Sequence, residues 1–203
     1  MNRVRLIDKK HALVIVAHPD DETIWMGGTM LKHRQLEWTI FSLCRASDRD
    51  RAPKFKKVCQ HYSAKAIITD LEDEDRMSIK KTIPIIKRIV TKQTKNKKYN
   101  YIFTHGQNGE YGHPRHIGVY QAIWGLIKQK KLKPEILFYF NYKTTKKYKL
   151  IAKKNTDYKV KLTLQEFKRK ERIMTNIYGF EKGGIDVGLC TNPEAFLVKY
   201  INN

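Results

Sequence analysis

The sequence predicts an α/β protein, a Rossmann-like three-layer α/β/α fold around a mostly parallel sheet. Three observations lead there. Short apolar runs alternate with helix-like stretches over the first 140 residues. The first run, Ala12 to Ala17, has no polar alternation, as in a strand buried on both faces. Polar segments rich in glycine follow two of the runs, where open α/β sheets collect their ligands.

Taken in order, Ala12 to Ala17 leads into a helical stretch from Glu22 to Gln35. Trp38 to Cys44 and Lys54 to Tyr62 form the second strand and helix, and Ala66 to Leu71 with Ser78 to Thr94 the third pair. Tyr101 to Thr104 and Ile117 to Lys130 follow, then a fifth strand from Ile136 to Phe140. Pro84 either lies in the first turn of a helix starting near Thr82 or kinks a longer one. Further on, a short alternating piece precedes a helix opened by Thr163, with Glu166 at its third position, a capping-box pattern. The end of the chain is rich in glycine and irregular, then apolar. "TKQTKNKKYN" and "YKTTKKYK" read as basic surface loops. With no repeat and no low-complexity linker, residues 1–203 read as one domain, large enough to bury about 70% of its unfolded surface.

Composition narrows the classes. Lys and Arg number 41 against 20 Asp and Glu, a net charge of +21. A field of that sign attracts phosphates, anionic lipid and nucleic acid alike. The segment from Asn141 to Arg172 is especially basic, and the region from Asn141 to Phe180 is where substrate or partner contacts are expected. No RNP-type aromatic box, zinc finger or Walker loop accompanies the charge, so a solvated lysine-biased surface is expected before a specific nucleic-acid face. The three cysteines, Cys44, Cys59 and Cys190, are widely spaced and form no CxxC pair, which suggests reduced thiols in a cytoplasmic protein. The N-terminal apolar run is shorter than the roughly 7–15 residues of a signal peptide, and no run approaches the roughly 18 of a membrane span. A soluble protein is expected, compatible with contact at a membrane surface. No pattern fixes an oligomeric state.

The chemistry gathers in two motifs. In "HALVIVAHPDDETIWMGG" a strand ends in His18, Asp20, Asp21 and Glu22. Neighbouring acids repel, and a cation would remove the conflict. In "GQNGEYGHPRHIGVY", after the strand "YIFTH", His113 and His116 are three apart, and a helix beginning near Pro114 would turn both to one side. Either motif alone has a bland reading, a turn with capping acids or a histidine pair in a loop. Their joint occurrence at two distant strand ends carries the signal. His18, Asp21 and His116 give two imidazoles and a carboxylate, which matches a catalytic zinc site and equally the ligand set of ferrous sites. Zinc is the first expectation and Fe2+ the alternative. Asp20, beside the ligands but not needed as one, is placed to accept a proton from attacking water. His11, His33, His61 and His105 read as surface or core histidines, although His105 sits at the mouth of a strand.

"AHPDDE" followed by "GG", with the later "YGHPRH", resembles the PIG-L/LmbE-like deacetylases, zinc-dependent enzymes that remove acetyl groups from N-acetylglucosaminyl conjugates. The resemblance runs from the first strand through the helix after His116. It implies His18, Asp21 and His116 as metal ligands and Asp20 as general base. It implies that His113 stabilises the oxyanion or protonates the leaving amine, and that Tyr111 assists at the oxyanion. Arg51, opening "RAPKFKKVCQHYSA", resembles the family's substrate-binding arginine, with Arg45 and Arg49 close by. One residue departs from the pattern: the family usually has Asp or Asn between the two histidines, and this chain has Arg115. An arginine repels an imidazolium, which weakens an acid role for His113 unless a carboxylate such as Glu110 compensates. The alternative expectation is that Arg115 faces an anionic group, such as phosphate, on the substrate. The leading reading is therefore a metal-dependent deacetylase of an acetylated amino-sugar conjugate. Its rivals are a nucleic-acid- or anionic-membrane-binding protein on an inactive deacetylase fold, and a metal hydrolase for another amide or ester carried by a nucleotide.

Overall fold

The computed structural model describes residues 6–74, 76–145 and 149–201. Its elements are β1 (His11–Val16), α1 (Asp21–Lys32), β2 (Glu37–Ser42), α2 (Arg51–His61), β3 (Lys65–Ile68), α3 (Ile79–Thr94), β4 (Tyr101–Thr104), a short α4 (Gly109–Gly112), α5 (Pro114–Lys128) and β5 (Ile136–Phe140). There follow β6 (Tyr142–Thr144), β7 (Leu150–Ala152), β8 (Tyr158–Val160), α6 (Leu164–Ile173) with a π-helical turn over Met174–Tyr178, a short α7 (Ile185–Gly188) and β9 (Glu194–Tyr200). The main sheet runs β3-β2-β1-β4-β5-β9-β8. Its first five strands are parallel, and β9 and β8 join antiparallel at one side. β6 and β7 form a separate two-stranded piece.

The alternation of side chains in β1 makes the three layers. Ala12, Val14 and Val16 point into a core shared with Trp25 and Met30 of α1, Phe55 and Val58 of α2, and Ile173 of α6. Leu13 and Ile15 point the other way, into a core with Ile86 and Val90 of α3 and Val119, Ile123 and Leu126 of α5. All six strand-end residues from Ala12 to Ala17 are fully buried, which is why this strand carries no polar position. Each large aliphatic side chain buried this way contributes about 1.5–3 kcal/mol.

The predicted elements recur with shifted ends. β4 and β5 span the predicted residues, β3 stops at Ile68 rather than Leu71, and α5 begins at Pro114, as the second motif suggested, ahead of the helical stretch read from Ile117. Pro84 follows neither simple option, since it lies well inside a continuous α3 that starts at Ile79. It sits on the exposed face, so the Lys80 carbonyl that loses its donor there is solvated. Thr163 does open α6, and the capping box with Glu166 is formed in both directions. The loop expected in "YKTTKKYK" falls in part on residues 146–148, outside the described residues, and its flanks form β6 and the approach to β7.

The glycine pair in the first motif has a packing reason. α1 kinks at Met26 (φ −149°, ψ 18°), and a Cβ on Gly28 would lie 2.4 Å from the Leu162 side chain. The pair lets α1 pass close under the segment that leads into α6.

Candidate metal centre

β1 and β4 are neighbours in the sheet, and the chain leaves them in opposite directions, toward β2 on one side and β5 on the other. This is the switch point at which open α/β sheets form a crevice beyond the strand ends. The loop after β1 brings His18, Asp20, Asp21 and Glu22, and the segment after β4 brings His105, Glu110, Tyr111, His113 and His116. The two motifs meet here.

Two imidazole nitrogens and the two oxygens of one carboxylate face one another. His18 Nδ1 lies 3.3 Å from Asp21 Oδ2 and 3.3 Å from His116 Nε2, and His116 Nε2 lies 3.4 Å from Asp21 Oδ1. A tetrahedral ion with bonds of about 2.0–2.1 Å needs donors about 3.3–3.4 Å apart. Octahedral geometry at that bond length would bring them to about 2.9 Å. The 3.3 Å spacing of the two imidazole nitrogens fits a tetrahedral ion.

The far side of each ligand is already held. His18 Nε2 meets Asp73 Oδ1 at 2.6 Å, and Asp73 Oδ2 accepts from Arg45 Nε at 2.9 Å. His116 Nδ1 meets Glu110 Oε2 at 2.7 Å. Asp21 Oδ1 accepts from Trp25 Nε1 at 2.9 Å, and Asp21 Oδ2 from the His18 backbone N–H at 2.8 Å. With the outer nitrogens committed as donors to carboxylates, both inner nitrogens turn lone pairs to the centre. Burial opposes charge on His18, yet Asp21 and Asp73 raise its pKa to about 10. Burial pushes His116 down to about 4. The carboxylates call for one cation in the triangle, a proton or a metal.

Asp20 stands beside the ligands at φ 133°, ψ −32°, a strained backbone for a non-glycine residue. Its carboxylate accepts from Arg51 Nη1 at 3.1 Å, and its backbone N–H donates to Glu22 Oε2 at 3.1 Å. Glu22, fully buried, also accepts from Thr23 Oγ1 and Tyr178 OH, so the last acid of the motif fixes the backbone of the first. Burial and the neighbouring Asp21 charge push the Asp20 carboxyl well above its ordinary range, with His18 and Arg51 pulling the other way. Arg51 itself lies over the Phe180 ring, 4.4 Å from its centroid.

His113 caps α5: its Nδ1 accepts from the Arg115 backbone N–H at 3.2 Å. That leaves Nε2 as the protonated nitrogen of a neutral ring. Burial and the nearby His18 charge lower its pKa further. Glu110 does not compensate by pairing with His113, because it is spent on His105, His116 and the Gly106 N–H. Tyr111 stands at the rim, 42% exposed, with its ring 5.8 Å from that of His113. A pocket of about 230 Å³ opens over this constellation, lined by Asp20, Trp25, Asp73, Tyr111, His113 and Asp186 among others.

Two expectations need correction. Arg115 does not face the pocket. It is fully buried, with Nε donating to the Glu72 carbonyl (2.8 Å), Nη1 to the Met77 carbonyl (3.1 Å) and Nη2 to Glu72 Oε2 (2.5 Å). The helix phase that points His113 and His116 inward carries residue 115 toward the connection after β3. His105 is more than a core histidine. It stacks on His116 at 3.8 Å, accepts from the Ala17 N–H through Nε2 at 3.0 Å and donates to Glu110 through Nδ1 at 2.8 Å. Burial opposes a charge on it, yet Glu110 and Asp21 raise its pKa to about 9, while the Ala17 N–H aimed at Nε2 favours the neutral ring. Asp73 and the buried role of Glu110 were also missed. The sequence offered Glu110 only as a carboxylate that could offset Arg115 beside His113, and its backbone here has a positive φ of 57°.

A second pocket of about 360 Å³, lined by His18, Asp20, Arg51 and Asp73, adjoins the one over this constellation, and two larger cavities lie elsewhere. One of about 820 Å³ and one of about 610 Å³ share Lys168, Arg172 and Asn176 and form a basic groove along α6, with Arg169 and Lys182 also lining it. Val187 and Gly188 line the groove, while Asp186 and Leu189 line the pocket at the strand ends, so α7 separates the two.

The family model described as PIG-L, GlcNAc-PI de-N-acetylase, matches residues 13–127. No curated protein matches the sequence. Among solved structures, the A40926 pseudoaglycone deacetylase Dbv21 is similar over 97% of this chain and 100% of its own, with a TM-score of 0.67 and 13% identity. The N,N'-diacetylchitobiose deacetylase from Pyrococcus horikoshii is similar over 95% of this chain and 85% of its own, with a TM-score of 0.63 and 15% identity. The 4-carboxy-2-hydroxymuconate hydratase GalB from Pseudomonas putida is similar over 81% of this chain and 77% of its own, with a TM-score of 0.56 and 13% identity. At these identities the likeness is one of fold, and the fold serves more than one chemistry.

Proposed function

Because the chain belongs to the PIG-L family of de-N-acetylases, we propose that it is a zinc-dependent N-deacetylase, cleaving the acetamido group of an N-acetylglucosamine-containing substrate to a free amine and acetate. The observation that carries this reading is the cluster of His18 Nδ1, His116 Nε2 and the Asp21 carboxylate, with the two nitrogens 3.3 Å apart and each 3.3–3.4 Å from one of the Asp21 oxygens, and with Asp20 beside it. Zinc held there would supply a Lewis acid for the amide carbonyl and would ease deprotonation of water.

The chain's own residues supply the rest. Asp20, with its carboxyl raised by burial and Asp21, takes the proton of the attacking water and returns it to the departing nitrogen. Arg51 holds that carboxylate in place. His113, a neutral ring with its proton on Nε2, donates to the oxyanion as it develops, with Tyr111 at the rim on the same side. This assigns His113 to oxyanion stabilisation in preference to acid catalysis, because its Nδ1 is already an acceptor. The basic groove across α7 supports an anionic substituent on the part of the substrate remote from the acetamido group. Lys168, Arg169, Arg172 and Lys182 line it, with no ion pair to any of them among the described residues. The anionic contact expected of Arg115 moves to this groove.

The test is acetate release by zinc-loaded and ferrous-loaded chain from neutral and phosphorylated N-acetylglucosamine conjugates, with acetylated nucleotides beside them. Release from the amino sugars, lost in Asp20→Asn, is expected. Release from nucleotides alone, or from none of them despite bound metal, would overturn the assignment.

A further inference from the structure

Arg115 is the most deeply committed cation near the site. Its guanidinium is fully buried and spends all three nitrogens on the connection after β3, at the carbonyls of Glu72 and Met77 and the carboxylate of Glu72. The next residue of that connection, Asp73, receives His18 Nε2 at 2.6 Å. Arg115 stands one residue before His116 and two after His113, in the first turn of α5.

We infer that Arg115 is a positioning residue: it clamps the connection after β3 against the first turn of α5 and thereby holds Asp73 on His18. The inference rests on the metal reading above. An imidazole has two nitrogens and can present either, so the partner of the outer nitrogen decides which lone pair faces the ion. Asp73 is that partner for His18, as Glu110 is for His116. The two partners are held differently. Glu110 lies in the same segment as His116 and reaches the Gly106 N–H four residues back. Asp73 belongs to a connection that neither motif contains, and Arg45 at its other oxygen is itself 45% exposed and shared with Asp48. A buried planar fork that meets two carbonyls and a carboxylate at once fixes the connection where a lysine, a point charge on a flexible stem, would meet one acceptor. His18 of the first motif, Asp73 and His116 of the second are thereby tied into one unit through the Arg115 side chain.

Zinc affinity, measured by chelator competition on the full chain, tests this without recourse to activity. Asp73→Ala should weaken zinc binding about 10–100-fold, the usual cost of losing such a partner. Arg115→Lys should weaken it in the same direction, and the double variant Asp73→Ala/Arg115→Lys should bind no more weakly than Asp73→Ala alone, because Arg115 acts through Asp73. Glu72→Gln loosens the clamp from its less buried end, should also weaken binding, and carries the test if the Arg115 variant does not fold. Wild-type affinity in both Arg115→Lys and Glu72→Gln, or losses that simply add in the double variant, would refute the clamp. A wild-type chain that takes up no zinc would bring down the metal reading itself, and the clamp with it.

Discussion

α1 touches two buried charge clusters, one at its start and one past its kink, and they are built on opposite plans. Past the kink, Glu194 accepts from the backbone N–H groups of Gly28 (2.8 Å) and Thr29 (2.6 Å), from Thr29 Oγ1 (2.6 Å) and from Lys170 Nζ (2.7 Å). Every oxygen has its donors and the charge is balanced by a lysine that is itself fully buried. At the start of α1, Asp21, His18 and His116 point acceptors at one another, and the backbone at Asp20 and Glu110 is strained to bring them there. The first cluster is closed by the protein's own groups. On the proposed reading, the second is completed by a cation. A closed cluster serves the fold and an open one serves chemistry, although both cost desolvation.

The largest effect expected separates them by stability. Lys170→Met leaves Glu194 buried and unpaired, and should cost about 3–5 kcal/mol in urea denaturation, by the same amount with and without zinc. His116→Ala should instead abolish the zinc-dependent gain in stability while changing the metal-free protein far less. A Lys170→Met loss that zinc restores would mean the two clusters are one.

The difference also sorts what the sequence could reveal. The open cluster was legible because it is local: HPDDE and HPRH put five of its functional groups within two short stretches, and the run from Ala12 to Ala17 located the strand that ends there. The closed cluster was invisible, since Glu194 is more than 160 residues from the backbone groups it caps and no spacing links them. Asp73 was missed for the same reason, as it reaches His18 only through the fold. Arg115 was visible as a departure from a pattern, but a long side chain in a helix's first turn does not declare which way it reaches. The capping box of α6 was readable because both of its hydrogen bonds close within three residues.

Within the open cluster, ligand and catalytic roles can be parted. His113→Ala should keep its zinc and lose about 10²–10³ in kcat, the usual cost of one oxyanion donor. Metal content and kcat measured on the same samples decide it. Loss of zinc in this variant would make His113 a ligand and redraw the triangle.

The smallest effect concerns the closed cluster at a distance. α6 carries Lys170, and its start is fixed by Thr163 Oγ1 accepting from the Glu166 N–H at 3.2 Å, with Glu166 in turn reaching Lys32 of α1 at 3.2 Å. Thr163→Ala removes one exposed cap and should cost about 1 kcal/mol. Because the cap lies at the end of α6 away from the strand ends, zinc affinity should not change. If it does, strain at the start of α6 passes through α1 to Asp21, and the two clusters are coupled through the helix that separates them.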